Sequence, residues 1–134
     1  MEYFIFETEG QYFGIDAHCV YRVVDDLMIT PVPLLPPYHQ GLSYYRGELF
    51  DVVDAGIILG KNQKGGQETP YIILLKWGQH NLGVVPDRIV GIKWIEEARQ
   101  FQAEHWVEGL SVKVITPEAI WKLIADMDYG PRKV

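Results

Sequence analysis

Short apolar runs separated by glycine, proline or polar turns recur along the chain, and such runs are typical of β-strands. Two hairpins are predicted where a pair of runs flanks a turn tripeptide: 3–7 with 11–15 around Thr8-Glu9-Gly10, and 71–77 with 81–85 around Gly78-Gln79-His80. Further strands are predicted at 20–24, 29–32, 89–95, 106–110 and 112–115. The pattern therefore indicates a mainly β protein built from short strands.

The most informative stretch is residues 41–60, GLSYYRGELFDVVDAGIILG. It predicts two strands joined by a tight turn at Arg46-Gly47, because glycine adopts the positive φ that such a turn requires. Asp54 then stands where a helix N-cap would accept free backbone N–H groups. A single helical turn is expected after it, ended by Gly60.

A longer helix is expected near the end of the sequence. Thr116-Pro117-Glu118 combines an N-cap hydroxyl, a proline at the first helical position and an acidic residue in the first turn. Residues 119–127 then repeat apolar side chains at the spacing of one helix face.

A polar segment with two glycines, KNQKGGQET at 61–69, divides the chain into two parts of similar size. It has no apolar face to bury, which is typical of a linker. Each part carries a hairpin, further strands and a terminal helix. The sequence therefore predicts a single domain of two small β-barrels side by side, at about 1–60 and 70–127.

Composition and charge restrict the possible functions. The net charge is −6 and no cluster of Lys or Arg stands out, which argues against nucleic acid as a partner. The single cysteine, Cys19, rules out an internal disulfide framework and fits a reducing compartment. The N-terminus lacks a signal-peptide pattern, and the longest apolar run, 71–75, is far too short to span a bilayer. We expect a cytoplasmic protein that does not insert into a membrane.

Candidate catalytic residues are few and poorly arranged. Asp51 and Asp54 are three apart on a strand, so their side chains point to opposite faces, and one solvent-facing acid plus one helix cap is expected. His18-Cys19 lacks the base and orienting group of a cysteine nucleophile, so Cys19 is expected to be buried and structural. The histidines show no metal-ligand spacing and no phosphate-binding loop is present. We therefore expect no enzyme activity, no metal and no cofactor.

Two features keep alternatives open. All four tryptophans lie in the second half; we expect them to fill the core of a small barrel, and the alternative is the ligand cage of a small-ligand-binding β-barrel. Arg46 stands in an apolar hairpin. A half-buried arginine there would need carboxylate or carbonyl partners for its five donors, whereas a turn arginine would be exposed.

Four motifs, in their order and spacing, resemble those of the CheW-like domain family over residues 3 to about 123. The motifs are QYFGID at 11–16 followed by Val20, ITPVP at 29–33, the whole of 41–60, and GVVPD at 83–87. The most specific is 41–60, which is similar to the family pattern G-V-x-N-L-R-G-x-V-I-P-V-V-D-L-R-x-x-L-G.

This resemblance implies two five-stranded β-barrel subdomains, of the SH3-like kind, around a shared hydrophobic core, with no enzymatic activity. Members of the family couple methyl-accepting chemoreceptors to the histidine kinase CheA. They bind the kinase's homologous regulatory domain and the cytoplasmic hairpin tip of the receptor. The implied function is a non-catalytic adaptor in bacterial chemotaxis signal transduction. The alternative is an adaptor of a non-flagellar chemosensory pathway, such as one for pili or gliding.

The resemblance also implies a protein-interaction surface. Carried over by position, its residues are Val20, Arg22, Gly41, Tyr44, Tyr45, Arg46 and Gly47. The segment 34–38 is a possible additional anchor.

Two departures from the family pattern change expectations. Arg22 occupies a position where the family often has a glutamate that pairs with the motif arginine. Arg46 then needs another partner, for which Glu48, Asp51 and Asp25 are candidates. In addition, the stretch 109–116 is short, which leaves room for a second barrel without a full hairpin there.

Overall fold

A computed structural model describes residues 1–34, 36–59, 71–96 and 104–128. The predicted linker at 61–69, the helix-ending Gly60 and Leu35 lie outside the described residues.

Ten strands and two α-helices follow one another along the described chain. They are β1 (Glu2–Thr8), β2 (Gln11–Asp16), a 3-10 turn (Ala17–Cys19), β3 (Val20–Asp25), β4 (His39–Tyr45), β5 (Glu48–Asp54), α1 (Ala55–Leu59), β6 (Tyr71–Trp77), β7 (His80–Val85), β8 (Arg88–Trp94), β9 (Glu104–Val107), β10 (Leu110–Val114) and α2 (Pro117–Asp128). The predicted mainly β class is confirmed.

The strands form two five-stranded sheets. Sheet 1 has the order β8-β1-β2-β10-β9 and sheet 2 has the order β3-β6-β7-β5-β4. Parallel pairing of β2 with β10, and of β5 with β7, joins strands from the two sides of the predicted linker. The sheets therefore do not coincide with the predicted division at 61–69. A hydrophobic pattern shows which residues are buried, but it does not specify which strands become neighbours.

The central strands are buried on both faces. In β1, Tyr3 and Ile5 lie in a cluster within sheet 1, whereas Phe4 and Phe6 lie in a cluster shared by both sheets and both helices. A third cluster, around Phe50, fills sheet 2. Each sheet thus has its own interior, and their outer faces pack on each other. This arrangement explains why several strands read as continuous apolar runs.

Both helices begin at the predicted caps. Oδ1 of Asp54 accepts the N–H groups of Gly56 at 2.7 Å and Ile57 at 3.3 Å. In α2, Oγ1 of Thr116 accepts the N–H of Ala119 at 3.0 Å. The caps satisfy backbone donors that no helical hydrogen bond can use. Within the described residues, neither helix has the length and apolarity needed to cross a membrane.

The predicted strand at 29–32 is wrong. Thr30 makes an isolated bridge to Leu42, with backbone N–O distances of 2.7 and 2.9 Å, and no longer ladder forms. Pro31 and Pro33 lack the N–H groups that a ladder would need.

The predicted strand at 106–110 is also wrong, because the chain reverses inside it. Glu108 and Gly109 have φ values of 49° and 84°, which are typical of a two-residue hairpin turn. Leu110 pairs with Val107, so β9 and β10 form a hairpin. Sheet 1 is therefore complete at this position despite the short stretch 109–116.

The prediction that the tryptophans fill the core is wrong for two of them. Trp94 is 63% exposed and Trp106 is 77% exposed, because β8 and β9 are the edge strands of sheet 1. Trp77 and Trp121 are partly buried against the shared cluster, where both contact the ring of His80.

Candidate protein-interaction site

The turn between β4 and β5 presents Arg46 at the tip of a hairpin. Arg46 and Gly47 both have positive φ, at 51° and 82°, and Tyr45 pairs with Glu48 to close the turn. These dihedral angles follow the right-handed twist of the flanking strands. A Cβ added at Gly47 would have no atom within 4 Å, so the backbone conformation alone accounts for the glycine.

Arg46 is an exposed turn arginine rather than a half-buried one. Its guanidinium carbon lies 5.4 Å from the centroid of the Tyr45 ring. Of the candidate partners, Glu48 pairs with Lys76, and Asp51 lies 3.1 Å from Nε2 of His39. Across the described part of the chain, no carboxylate, Asp25 included, forms an ion pair with Arg46.

Aromatic side chains join the hairpin to β3, although β3 and β4 are opposite edges of sheet 2. The Tyr21 ring meets that of Tyr45 edge to face, with centroids 6.1 Å apart, and is nearly parallel to that of Phe50 at 6.3 Å. We call Tyr21, Tyr45 and Phe50 the aromatic bridge. Tyr21 was missed from the sequence, although its position between Val20 and Arg22 was a usable signal.

A second cation lies beside the aromatic bridge. Nζ of Lys76 lies 4.8 Å from the centroid of the Tyr21 ring and also pairs with Glu48. Lys76 on β6 therefore connects the ring on β3 to the hairpin strand β5. No pattern in the sequence indicated this role for Lys76.

The other predicted residues fall into two groups. Val20 is half-buried against the shared cluster and Tyr45 against the interior of sheet 2, so both support the surface from behind. Arg22 and Tyr44 are exposed, with Tyr44 69% accessible. Directly opposite Tyr44 stands Leu49, 41% exposed, which the sequence reasoning also missed. Tyr44 and Leu49 thus form an exposed apolar pair next to the turn.

Gly41 is buried behind this surface. Its φ is 139°, and an added Cβ would lie 2.2 Å from the carbonyl oxygen of Thr30. Its N–H donates to Nδ1 of His39 at 3.1 Å. Only glycine allows the segment around Thr30 to lie against β4, and the hydroxyl of Ser43 adds a hydrogen bond to the carbonyl of Met28.

A groove of about 360 Å³ lies between the two sheets, beside β3. Its lining residues are Val23, Tyr71, Asp87, Arg88 and Ile89. Val23 belongs to the same strand as Tyr21 and Arg22. The strand β3 therefore contributes to both the groove and the hairpin surface.

The residues of the additional anchor expected at 34–38 also differ in their exposure. Leu34 is 99% exposed, whereas Tyr38 is buried in the shared cluster and its carbonyl accepts the N–H of Asp54 at 2.8 Å. Leu35 lies outside the described residues. Of the described residues in this segment, Leu34 and Pro37 are exposed and thus placed to touch a partner.

The remaining reactive residues do not converge. Asp51 is directed to His39, while Asp54 caps α1 and accepts from Gln40 at 3.2 Å. Burial, and secondarily the neighbouring carboxylates of Asp16 and Glu118, raise the pKa of the Cys19 thiol. A nucleophilic cysteine requires the opposite shift. In the described ranges, no group of three or more His, Cys, Asp or Glu side chains could hold a metal ion.

Comparisons with known proteins identify the family of the chain. Residues 2–122 match the family model described as CheW-like domain. Protein FrzA of Myxococcus xanthus is 27% identical over 97 residues, which cover 72% of this chain and 61% of FrzA. Chemotaxis protein CheW of Klebsiella aerogenes is 21% identical over 115 residues, covering 86% of this chain and 69% of the relative. The match to FrzA thus spans less than two thirds of that relative's length.

A solved structure is similar over most of its length. It is the scaffolding protein TtCheW from Thermoanaerobacter tengcongensis, with a TM-score of 0.74 and 20% sequence identity, over 85% of this chain and 87% of that one. At this identity the likeness establishes the two-sheet fold.

Proposed function

Because the chain belongs to the CheW-like domain family, a family of scaffold proteins in chemotaxis-type signalling, we propose that it couples chemoreceptors to a CheA-type histidine kinase as a non-catalytic adaptor. Its partners would be the kinase's regulatory domain and the cytoplasmic tip of a receptor, at membrane-bound receptor arrays. The observation that carries the proposal is the exposed Arg46 at the tip of a tight hairpin turn, next to the apolar pair Tyr44 and Leu49.

The composition of this surface supports protein binding. Arginine and tyrosine are enriched among the residues that dominate the energies of protein interfaces. Tyr44 and Leu49 supply apolar area, and Arg46 supplies directional donors at its edge.

The surface is also pre-organised. The turn dihedral angles, the Glu48–Lys76 ion pair and the ring contact of Arg46 each restrict the conformations of the hairpin. Little conformational entropy is then lost when a partner binds.

Coupling requires a place for each of two partners. The hairpin surface is convex and carries a cation, whereas the groove beside β3 is concave and lined by Val23, Tyr71 and Ile89, with Asp87 and Arg88 also facing it. These two surfaces differ in shape and chemistry, so they suit different partners.

The proposal is tested with the purified chain, a CheA-type kinase and receptor cytoplasmic fragments from the same genome. Arg46→Glu is expected to abolish co-purification while the circular dichroism spectrum stays that of the wild type. Lys122→Glu, at an exposed position of α2, makes the same change of charge away from the surface and is the matched control. If the wild type binds neither the kinase nor the receptor fragment, the proposed function is wrong. If Arg46→Glu unfolds, Arg46 is a structural residue.

A further inference from the structure

The charge of the hairpin surface is opposite to that of the whole chain. The chain has 12 basic and 18 acidic residues, a net charge of −6. At the hairpin surface, however, Lys76 pairs with Glu48 and contacts the Tyr21 ring, Arg46 contacts the Tyr45 ring, and Arg22 is exposed on β3 beside Tyr21. Two positive charges therefore remain there without a carboxylate in the described residues.

The donors of Arg46 are available. Its contact with Tyr45 is made to the face or edge of a ring, which accepts no conventional hydrogen bond from the guanidinium. Five N–H donors in a planar fork thus remain for an external group, and a carboxylate fits that fork with two parallel hydrogen bonds.

The aromatic bridge brings the two arginines to one surface. Arg22 pairs with Leu74, which lies in the same cluster as Tyr21 and Tyr45, and those two rings are in edge-to-face contact at 6.1 Å. The guanidinium carbon of Arg46 lies 5.4 Å from the centroid of the Tyr45 ring. Asp25 and Asp26, the acids nearest to Arg22 in sequence, are exposed and form no ion pair with it among the described residues.

We propose that this surface recognises an acidic segment of a protein partner, in which two carboxylates pair with Arg22 and Arg46. The inference rests on the proposed function for the identity of that partner. A protein segment fits better than nucleic acid, because a chain of net charge −6 repels a polyphosphate.

The first test measures the dissociation constant of the kinase and receptor complexes as salt is raised from about 50 to about 200 mM. Arg22→Gln and Arg46→Gln are each expected to raise the dissociation constant of the complex formed at this surface roughly tenfold, because one charge-assisted contact is lost. Each should also reduce the salt dependence of that constant. Lys122→Gln on α2 removes the same charge and should leave both unchanged. Binding by the double variant Arg22→Gln/Arg46→Gln with wild-type affinity and salt dependence would overturn the inference.

The second test does not depend on the identity of the partner. An amphipathic peptide with glutamates along one face is compared with the same peptide in which every Glu is replaced by Gln. The peptides have about 16 residues, because shorter helices are marginal in water. The acidic peptide should shift the amide resonances of Tyr21, Arg22 and Arg46 in the full chain, and the Gln peptide should not. Equal shifts with both peptides, or none, would refute the acidic specificity. If the kinase and receptor do not bind but the acidic peptide does, the proposed function fails and the surface chemistry stands.

Discussion

Replacing Gly41 by alanine is expected to destabilise the fold by about 3–4 kcal/mol. Part of this comes from the backbone, because a residue with a Cβ at φ 139° is strained by about 1–3 kcal/mol. The rest comes from contact: the new Cβ would lie 2.2 Å from the carbonyl oxygen of Thr30. The segment must then move away and give up its two hydrogen bonds to Leu42, worth about 0.5–1.5 kcal/mol each.

Gly47→Ala is the matched control. Its φ of 82° imposes backbone strain on alanine, but no atom lies within 4 Å of the new Cβ. Only about 1–2 kcal/mol should be lost. Urea unfolding of both variants, followed by circular dichroism, gives the two free energies, and thermal unfolding should place the Gly41 variant roughly 10 °C below the wild type.

Equal destabilisation by the two substitutions would refute the steric reasoning, because only strain would then distinguish glycine from alanine. A second readout concerns binding. Since Gly41 is buried behind the surface, the folded fraction of Gly41→Ala should bind the partner of the hairpin surface within about threefold of the wild type.

Two further predictions concern capping and pH. Asp54→Ala should lower the free energy of unfolding by about 1 kcal/mol, measured in urea, because the N–H groups of Gly56 and Ile57 lose their acceptor. Asp54→Asn should retain most of that free energy, because the amide oxygen can accept the same hydrogen bonds. No loss in either variant would show that the cap is dispensable. Burial first, and the charge of Asp16 second, raise the pKa of Cys19 and of Tyr3 above their usual values of 9.0 and 10.0. The unfolded chain then loses these protons at lower pH than the folded one, so stability is present below those values and falls as pH rises through them. Urea unfolding between about pH 7.5 and pH 10 should show this fall, and Cys19→Ala should reduce it; a flat profile would contradict the reasoning.

Local signals were sufficient for most individual elements. The caps at Asp54 and Thr116 were predicted because an N-cap depends on a side chain and the two or three residues after it. The turn at Arg46-Gly47 was predicted because its dihedral angles depend on those two residues. The predicted strand at 106–110 was wrong because Glu108 and Gly109 adopt the positive φ of a turn and reverse the chain inside it.

The site was predicted only in part. Its turn and the exposed Arg22 follow from sequence position and the family pattern, since those residues lie in or beside a recognisable motif. Whether Arg46 has an ion-pair partner could not be predicted, because this depends on whether Glu48 and Asp51 are already paired. Their partners, Lys76 and His39, are determined by the register of the sheet. The role of Leu49 likewise depends on its pairing with Tyr44.

The sequence by itself determined most of the strands, the Arg46-Gly47 turn, the helix caps and an excess of acidic charge, because each of these is a property of a few adjacent residues or of composition. Only the tertiary structure decided that the two halves interleave, that Trp94 and Trp106 stand on edge strands, and that Tyr21 meets Tyr45. The physical reason is that strand neighbours are selected by the free energy of the whole packed core. Residues far apart in the chain contribute to that core together, so a short segment of sequence does not specify which strands become neighbours.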